Sequence, residues 1–135
     1  MSTSPKGIAV ENEQIADLGH YRTDDGATVD ISAALAAARA GTRSYTPEDD
    51  VTAGPRGPFT GTLEITAEGS MQAARRLHEE GGKAIAVLNF ASARNPGGSY
   101  LGGARAQEED LCRSAPLYRC LLEAPDYYGV RCVPQ

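Results

Sequence analysis

Residues 84–111 read AIAVLNFASARNPGGSYLGGARAQEEDL, and this stretch decides the fold. It falls into three parts. Residues 84–90 are a short apolar run, and the β-branched Ile85 and Val87 suit a strand buried on both faces. Residues 94–105 are a glycine-rich loop that holds Asn95, Pro96, Gly97, Gly98 and Ser99, then Gly102 and Gly103. From Ala106 the pattern turns helical, with Gln107, Glu108, Glu109 and Asp110 in the first turn and Leu111 behind them. Strand, glycine loop and acidic helix start, in that order, build a ligand site at the carboxyl end of a strand in an α/β fold.

The flanks agree with such a fold. Upstream, residues 63–66 read as a strand, and Ser70 opens a helix to about Glu80 with Met71, Ala74, Leu77 and His78 inward. Gly81-Gly82 stops that helix, so residues 63–66 and 84–90 are expected to pair in parallel across a right-handed crossover. Nearer the start, residues 8–18 form a helix ended by Gly19. Two short strand-like runs then flank Asp24-Asp25-Gly26, a hairpin signal. Asp30 or Ser32 caps a second, alanine-rich helix that stops at Gly41. Residues 42–59, with Pro47, Pro55 and Pro58, read as a surface loop with a short extended piece at 43–45. Downstream, Pro116 ends the acidic helix. A further helix runs from Ser114 to Glu123 with Leu117, Leu121 and Leu122 inward, and the tail lacks a recognisable closing element.

Composition narrows the function. The chain has 135 residues, 41% of them apolar and 23% charged, as expected of one soluble domain with a modest core. A net charge of −5 disfavours a duplex nucleic-acid binder, although loop amides still bind phosphate without net positive charge. No apolar run is long enough to span a membrane, and residues 1–7 lack a signal core, so a cytoplasmic location is expected. Cys112, Cys120 and Cys132 have no CxxC spacing, and with His20 and His78 alone to help them no zinc site is expected. They read as reduced structural thiols.

The chemistry concentrates around the loop. Glycines let backbone amides approach a ligand closely, and consecutive amides form anion-binding nests. Glu108, Glu109 and Asp110 complement a helix macrodipole in any protein. Directly after a ligand loop, one of these carboxylates is also placed to act as a general acid or base. Arg94 and Arg105 bracket the loop and suit either phosphate or nearby acids. Asn89 and Asn95 suit either a sugar hydroxyl or loop backbone.

The motif also resembles a known family. Gly97-Gly98-Ser99, seven further residues, then Gln107-Glu108-Glu109 resembles the signature of the poly(ADP-ribose) glycohydrolases. In that signature Gln-Glu-Glu follows a glycine triplet after six to eight residues. The runs 87–98 (VLNFASARNPGG) and 101–111 (LGGARAQEEDL) are similar to the bacterial, or microbial, branch. The likeness extends from about Ile8 to Tyr128, and a motif this long is specific.

The resemblance implies a macrodomain-like mixed sheet between helices, here incomplete, with residues 1–60 as an accessory region and 61–135 as the N-terminal part of the catalytic core. It implies hydrolysis of the ribose–ribose O-glycosidic bond of poly(ADP-ribose), with no metal or organic cofactor. Carried over by position, Glu109 is the catalytic acid and Glu108 the neighbour that helps hold the ribose. Asn95, Gly97, Gly98, Ser99 and Gln107 fall in the ligand-binding set. The expected partner is ADP-ribose or poly(ADP-ribose) on modified proteins, not a membrane or duplex nucleic acid. Two departures accompany the resemblance. Ser99 replaces the third glycine, where it is expected to crowd the ligand. The family's core continues beyond its Gln-Glu-Glu helix, whereas this sequence ends at Gln135, so a partner supplying the missing half is a further expectation. The rival readings are a module that binds ADP-ribose without cleaving it and an inactive truncated remnant.

Overall fold

The computed structural model describes residues 4–49, 51, 54, 57–58 and 61–129. They form two compact units, one of residues 1–43 with 88–135 and one of residues 44–87.

The first unit begins with α1 (Pro5–Leu18). Ser4 caps it, its side chain accepting from the Gly7 N–H at 3.0 Å, and Pro5 occupies the first turn, where its missing N–H costs nothing. A hairpin follows, with β1 (His20–Arg22) antiparallel to β2 (Thr28–Asp30) and Tyr21 opposite Val29. Its turn is tied by the Thr23 hydroxyl, which donates to Asp25 and to the Ala27 carbonyl. α2 (Ser32–Gly41) comes next, and the Asp30 carboxylate meets its first N–H, that of Ser32, at 2.8 Å. After the glycine loop come a 3-10 turn (Tyr100–Gly102), α4 (Gln107–Ser114), α5 (Leu117–Leu121) and α6 (Pro125–Gly129).

The core of this unit is small: Ala9 of α1, Tyr100 of the 3-10 turn and Cys112 of α4, with Leu117, Tyr118 and Leu121 packed on them. Polar links hold the same elements together. Asn12 donates to the Cys112 and Arg113 carbonyls at 3.4 and 2.8 Å, which satisfies two of the orphan carbonyls at the C-terminal end of α4. Arg119 of α5 reaches Glu13 at 2.5 Å and Asp17 at 2.7 Å on α1. The Tyr100 hydroxyl, with α1 beneath it, donates to the Ala9 carbonyl and to Glu13, both at 3.4 Å. Burial pushes that phenol up to about 12, and the Glu13 charge adds to the shift.

The second unit contains α3 (Ser70–Glu79). Gly69 sits at its N-cap position, and the Gln72 side chain reaches back to the Gly69 N–H at 3.0 Å. Arg76 gathers Glu64, Glu68 and Glu80 around its guanidinium, and so ties α3 to the segment before it.

Several expectations need correction. Neither 63–66 nor 84–90 is a strand; among the described residues the sheet is the two-stranded β1–β2 hairpin. The parallel pairing and crossover are therefore not formed. Leu63 and Ile65 are 87% and 91% exposed, and Leu88 and Phe90 are 73% and 71% exposed. An apolar β-prone run becomes a strand when its backbone finds a ladder partner, and none of these residues has one. On α3, Leu77 and His78 are exposed, so the inward face stops at Met71 and Ala74, which are half-buried. The helix expected to reach Glu123 ends at Leu121, which leaves Leu122 exposed, and within the tail Pro125–Gly129 form the short helix α6.

Candidate active site

The glycine loop and the first turn of α4 meet within the first unit. Gly97 and Gly98 have φ of +67° and +59°, a left-handed backbone that glycine adopts freely. Space gives a second reason for glycine. A Cβ on Gly97 would stand 2.9 Å from the Tyr118 ring and 3.4 Å from the Cys112 sulfur. A Cβ on Gly98 would run into the Glu109 carboxylate and lie 3.4 Å from Glu108 Oε2. One glycine thus lets the loop settle on the core, and the next lets its backbone lie against both acids. Ser99 does not share this constraint. Its φ is −110°, an ordinary value for any residue, and it is exposed.

Both carboxylates are buried, with Glu108 and Glu109 3% and 6% exposed. Buried polar groups need partners, and the two acids are supplied differently. Glu108 accepts three hydrogen bonds. The Ser92 N–H donates to Oε2 at 2.7 Å, while the Asn89 amide and the Tyr128 hydroxyl both donate to Oε1 at 3.3 Å. For Glu109, the donor among the described residues is the Ser99 N–H, at 2.9 Å from Oε1. Asp110, one residue on, is exposed and lies 3.7 Å from Arg113. The buried arc of α4 is Glu108, Glu109, Leu111 and Cys112, as helical spacing requires. Burial pushes the Cys112 thiol up to about 12, helped by the charges of Glu108 and Glu109, so it stays a neutral packed group.

Gln107 occupies the remaining turn of the site. Its side-chain carbonyl accepts from the Phe90 N–H at 2.9 Å, and its amide donates to the Leu88 carbonyl at 2.8 Å. One side chain thus makes the two bonds a neighbouring strand would make, and it holds Asn89 toward Glu108. Asn89 Oδ1 is buried with no donor among the described residues. Asn95 braces the loop with its backbone, its N–H on the Ser92 hydroxyl at 3.2 Å and its carbonyl accepting from the Gly98 N–H at 2.9 Å. Asn95, Arg94 and Arg105 are exposed on this loop.

The candidate residues Gly97, Gly98, Ser99, Gln107, Glu108 and Glu109 therefore come together, with Asn95 at the rim. The sequence reading did not place Ser92 or Tyr128 in the site. Ser92 carried a weak signal, a serine ahead of a turn whose hydroxyl collects the next N–H groups. Tyr128 carried a better one, an aromatic pair between Pro125 and Gly129 in a polar tail. Among the described residues there is no group of three His, Cys, Asp or Glu able to hold a metal ion.

A glycine loop laid over two buried carboxylates in an α/β setting is the arrangement in which a ligand and a general acid or base can meet. The chain belongs to the microbial-type PARG catalytic domain family, whose model matches residues 9–134. It is similar to the solved poly(ADP-ribose) glycohydrolase (PARG) of Thermomonospora curvata, with 39% identity and a TM-score of 0.85 over 93% of this chain and 47% of that one. The same protein bound to the inhibitor ADP-HPD matches at 40% identity, with a TM-score of 0.82 over 93% of this chain and 46% of that one. The chain thus spans about half the length of the solved structures it matches. No curated protein matches it.

Proposed function

We propose that this chain carries the acid–base half of a poly(ADP-ribose) glycohydrolase site and hydrolyses the ribose–ribose O-glycosidic bond, releasing ADP-ribose. One observation carries the reading: Glu109 is buried, held by the Ser99 N–H, and lies directly beneath the Gly98 backbone. A ligand seated against the glycine loop meets that carboxylate. Family membership supports the same reading, as does a relative of like fold that is a poly(ADP-ribose) glycohydrolase and binds ADP-HPD.

In this mechanism Glu109 protonates the departing ribose oxygen as the oxocarbenium-like state develops, and its carboxylate then takes a proton from the attacking water. Glu108, with three donors, is the fixed acceptor that orients the ribose. Gly97, Gly98 and Ser99 form the side-chain-poor loop surface on which the diphosphate and sugar lie, and Asn95 stands at the ribose side of the loop. Gln107 serves the ligand site by holding the segment that carries Asn89, whose orphaned Oδ1 suits a donor hydroxyl. Residues 61–135 are then the N-terminal part of a macrodomain-like core, and residues 1–60 an accessory region. The reading includes a cytoplasmic protein acting on modified proteins. Among the described residues no helix is long and apolar enough to cross a membrane.

Glu109→Gln tests the reading. It keeps shape and most hydrogen bonding but neither delivers nor accepts the proton. Cleavage of labelled poly(ADP-ribose) is expected to fall at least 10²–10⁴-fold, the usual order of an acid–base contribution. ADP-ribose binding should survive, and Asp110→Asn should cleave normally, because that side chain points to solvent. Full turnover by Glu109→Gln would remove the assignment. Retained ADP-ribose binding with no cleavage by the unaltered chain would favour the binding-module reading, and loss of both would favour the remnant.

A further inference from the structure

Tyr128 is the one side chain from α6 that reaches the carboxylate pair, its hydroxyl donating to Glu108 Oε1 at 3.3 Å. That oxygen also receives the Asn89 amide, so two side chains from opposite ends of the site converge on one atom. Nothing in the proposed chemistry requires Tyr128 itself to touch the reacting atoms. The ring is half-buried and braced edge-on against Tyr127, with centroids 4.8 Å apart at 75°, so the hydroxyl is held in place. Burial, with the Glu108 charge beside it, raises the Tyr128 phenol well above its ordinary value, so it remains a donor in neutral solution.

We infer that Tyr128 is a positioning residue that works through Glu108: α6 closes the site by locking the rotamer of the carboxylate that orients the ribose. Two donors on Oε1 and the Ser92 N–H on Oε2 pin both oxygens of Glu108. With the Tyr128 donor removed, Oε1 keeps the 3.3 Å Asn89 bond alone, and the carboxylate is held less firmly at that oxygen. The expected consequence is weaker capture of the ribose. The inference rests on the function proposed above and adds a residue that the glycine and Gln-Glu-Glu motifs do not contain.

The test is a double-variant cycle on the full chain. Tyr128→Phe removes the hydroxyl and keeps the ring. Glu108→Gln removes the charged acceptor, and Glu108→Asp, which draws the carboxylate back from the phenol, is the second background if the first fails to fold. ADP-ribose affinity is titrated for the unaltered chain, both single variants and the double variant. A hydrogen bond to a charged group supports an expected loss of about ten-fold for Tyr128→Phe in the unaltered background. In the Glu108-altered background the same substitution should change affinity by less than about two-fold, because coupled residues are non-additive. Unchanged affinity in Tyr128→Phe, or an equal loss in both backgrounds, would overturn the inference. Melting temperatures of the same four proteins form a ligand-free cycle. If the unaltered chain binds no ADP-ribose, the proposed function fails, and this second cycle alone decides the Tyr128–Glu108 coupling. Additive melting shifts would then overturn it, and non-additive shifts would uphold it.

Discussion

At the residue scale, two adjacent glutamates on one helix turn differ in what surrounds them. Among the described residues Glu108 is pinned by three donors from three places in the chain, and Glu109 by one backbone N–H. A carboxylate tied on both oxygens is suited to orient a ligand. A carboxylate with one tie keeps an oxygen for proton transfer. Gly98 makes this arrangement possible, because its missing Cβ leaves room for the acids. Gly98→Ala should therefore combine a strained positive φ with a clash against Glu109, at a cost of about 1–3 kcal/mol. Gly102→Ala is the control, since its Cβ would meet nothing within 4 Å. ADP-ribose titration beside thermal melts should show a loss in the first variant and near-native behaviour in the second. Equal behaviour of the two would mean that the loop does not rest on the carboxylates.

At the scale of elements, α1 is what holds the loop and α4 in register. It supplies Ala9 to the core under Tyr100, Asn12 to the end of α4, and Glu13 with Asp17 to Arg119 of α5. Tyr100 directly follows Ser99, so fixing its ring on α1 also fixes the N–H that holds Glu109. The Asn12 contact is the easiest to isolate. Asn12→Ala leaves two carbonyls of α4 without their donor, which should cost about 1–2 kcal/mol and lower the melting temperature by about 4 °C or more. A melt unchanged within error would show that water replaces the asparagine at no cost.

At the scale of the whole molecule, the first unit buries a compact site, while the chain as a whole leaves many large apolar side chains in water. Leu63, Ile65, Leu88 and Phe90 are among the most exposed, and each lies in a segment with no ladder partner among the described residues. Such segments are templates for pairing with another chain. The isolated protein is expected to self-associate with rising concentration, as read by sedimentation velocity. Leu63→Lys with Ile65→Lys should reduce that association without altering ADP-ribose binding. A compact monomer at all concentrations, together with a cooperative high-temperature melt, would count against this expectation. The exposed runs have the character of strands, and the chain covers about half of the solved structures it resembles.

Local signals decided the elements whose physics is local. Gly19 ends α1, although the helix starts at Pro5 under a Ser4 cap and not at Ile8; Asp-Gly turns the hairpin, and an acidic first turn opens α4, because caps, turns and helical spacing depend on near neighbours in sequence. The long motif likewise named the family from residues alone. Tertiary structure decided the rest. Residues 63–66 and 84–90 have strand composition, but a strand exists through hydrogen bonds to a partner, and no local pattern supplies one. Tyr128 reached Glu108 by folding from 20 residues away, a contact no spacing rule encodes. The different surroundings of Glu108 and Glu109 cannot be read from a string of acids, because they come from donors brought in by Asn89, Ser92, Ser99 and Tyr128, segments that meet only when the chain is folded.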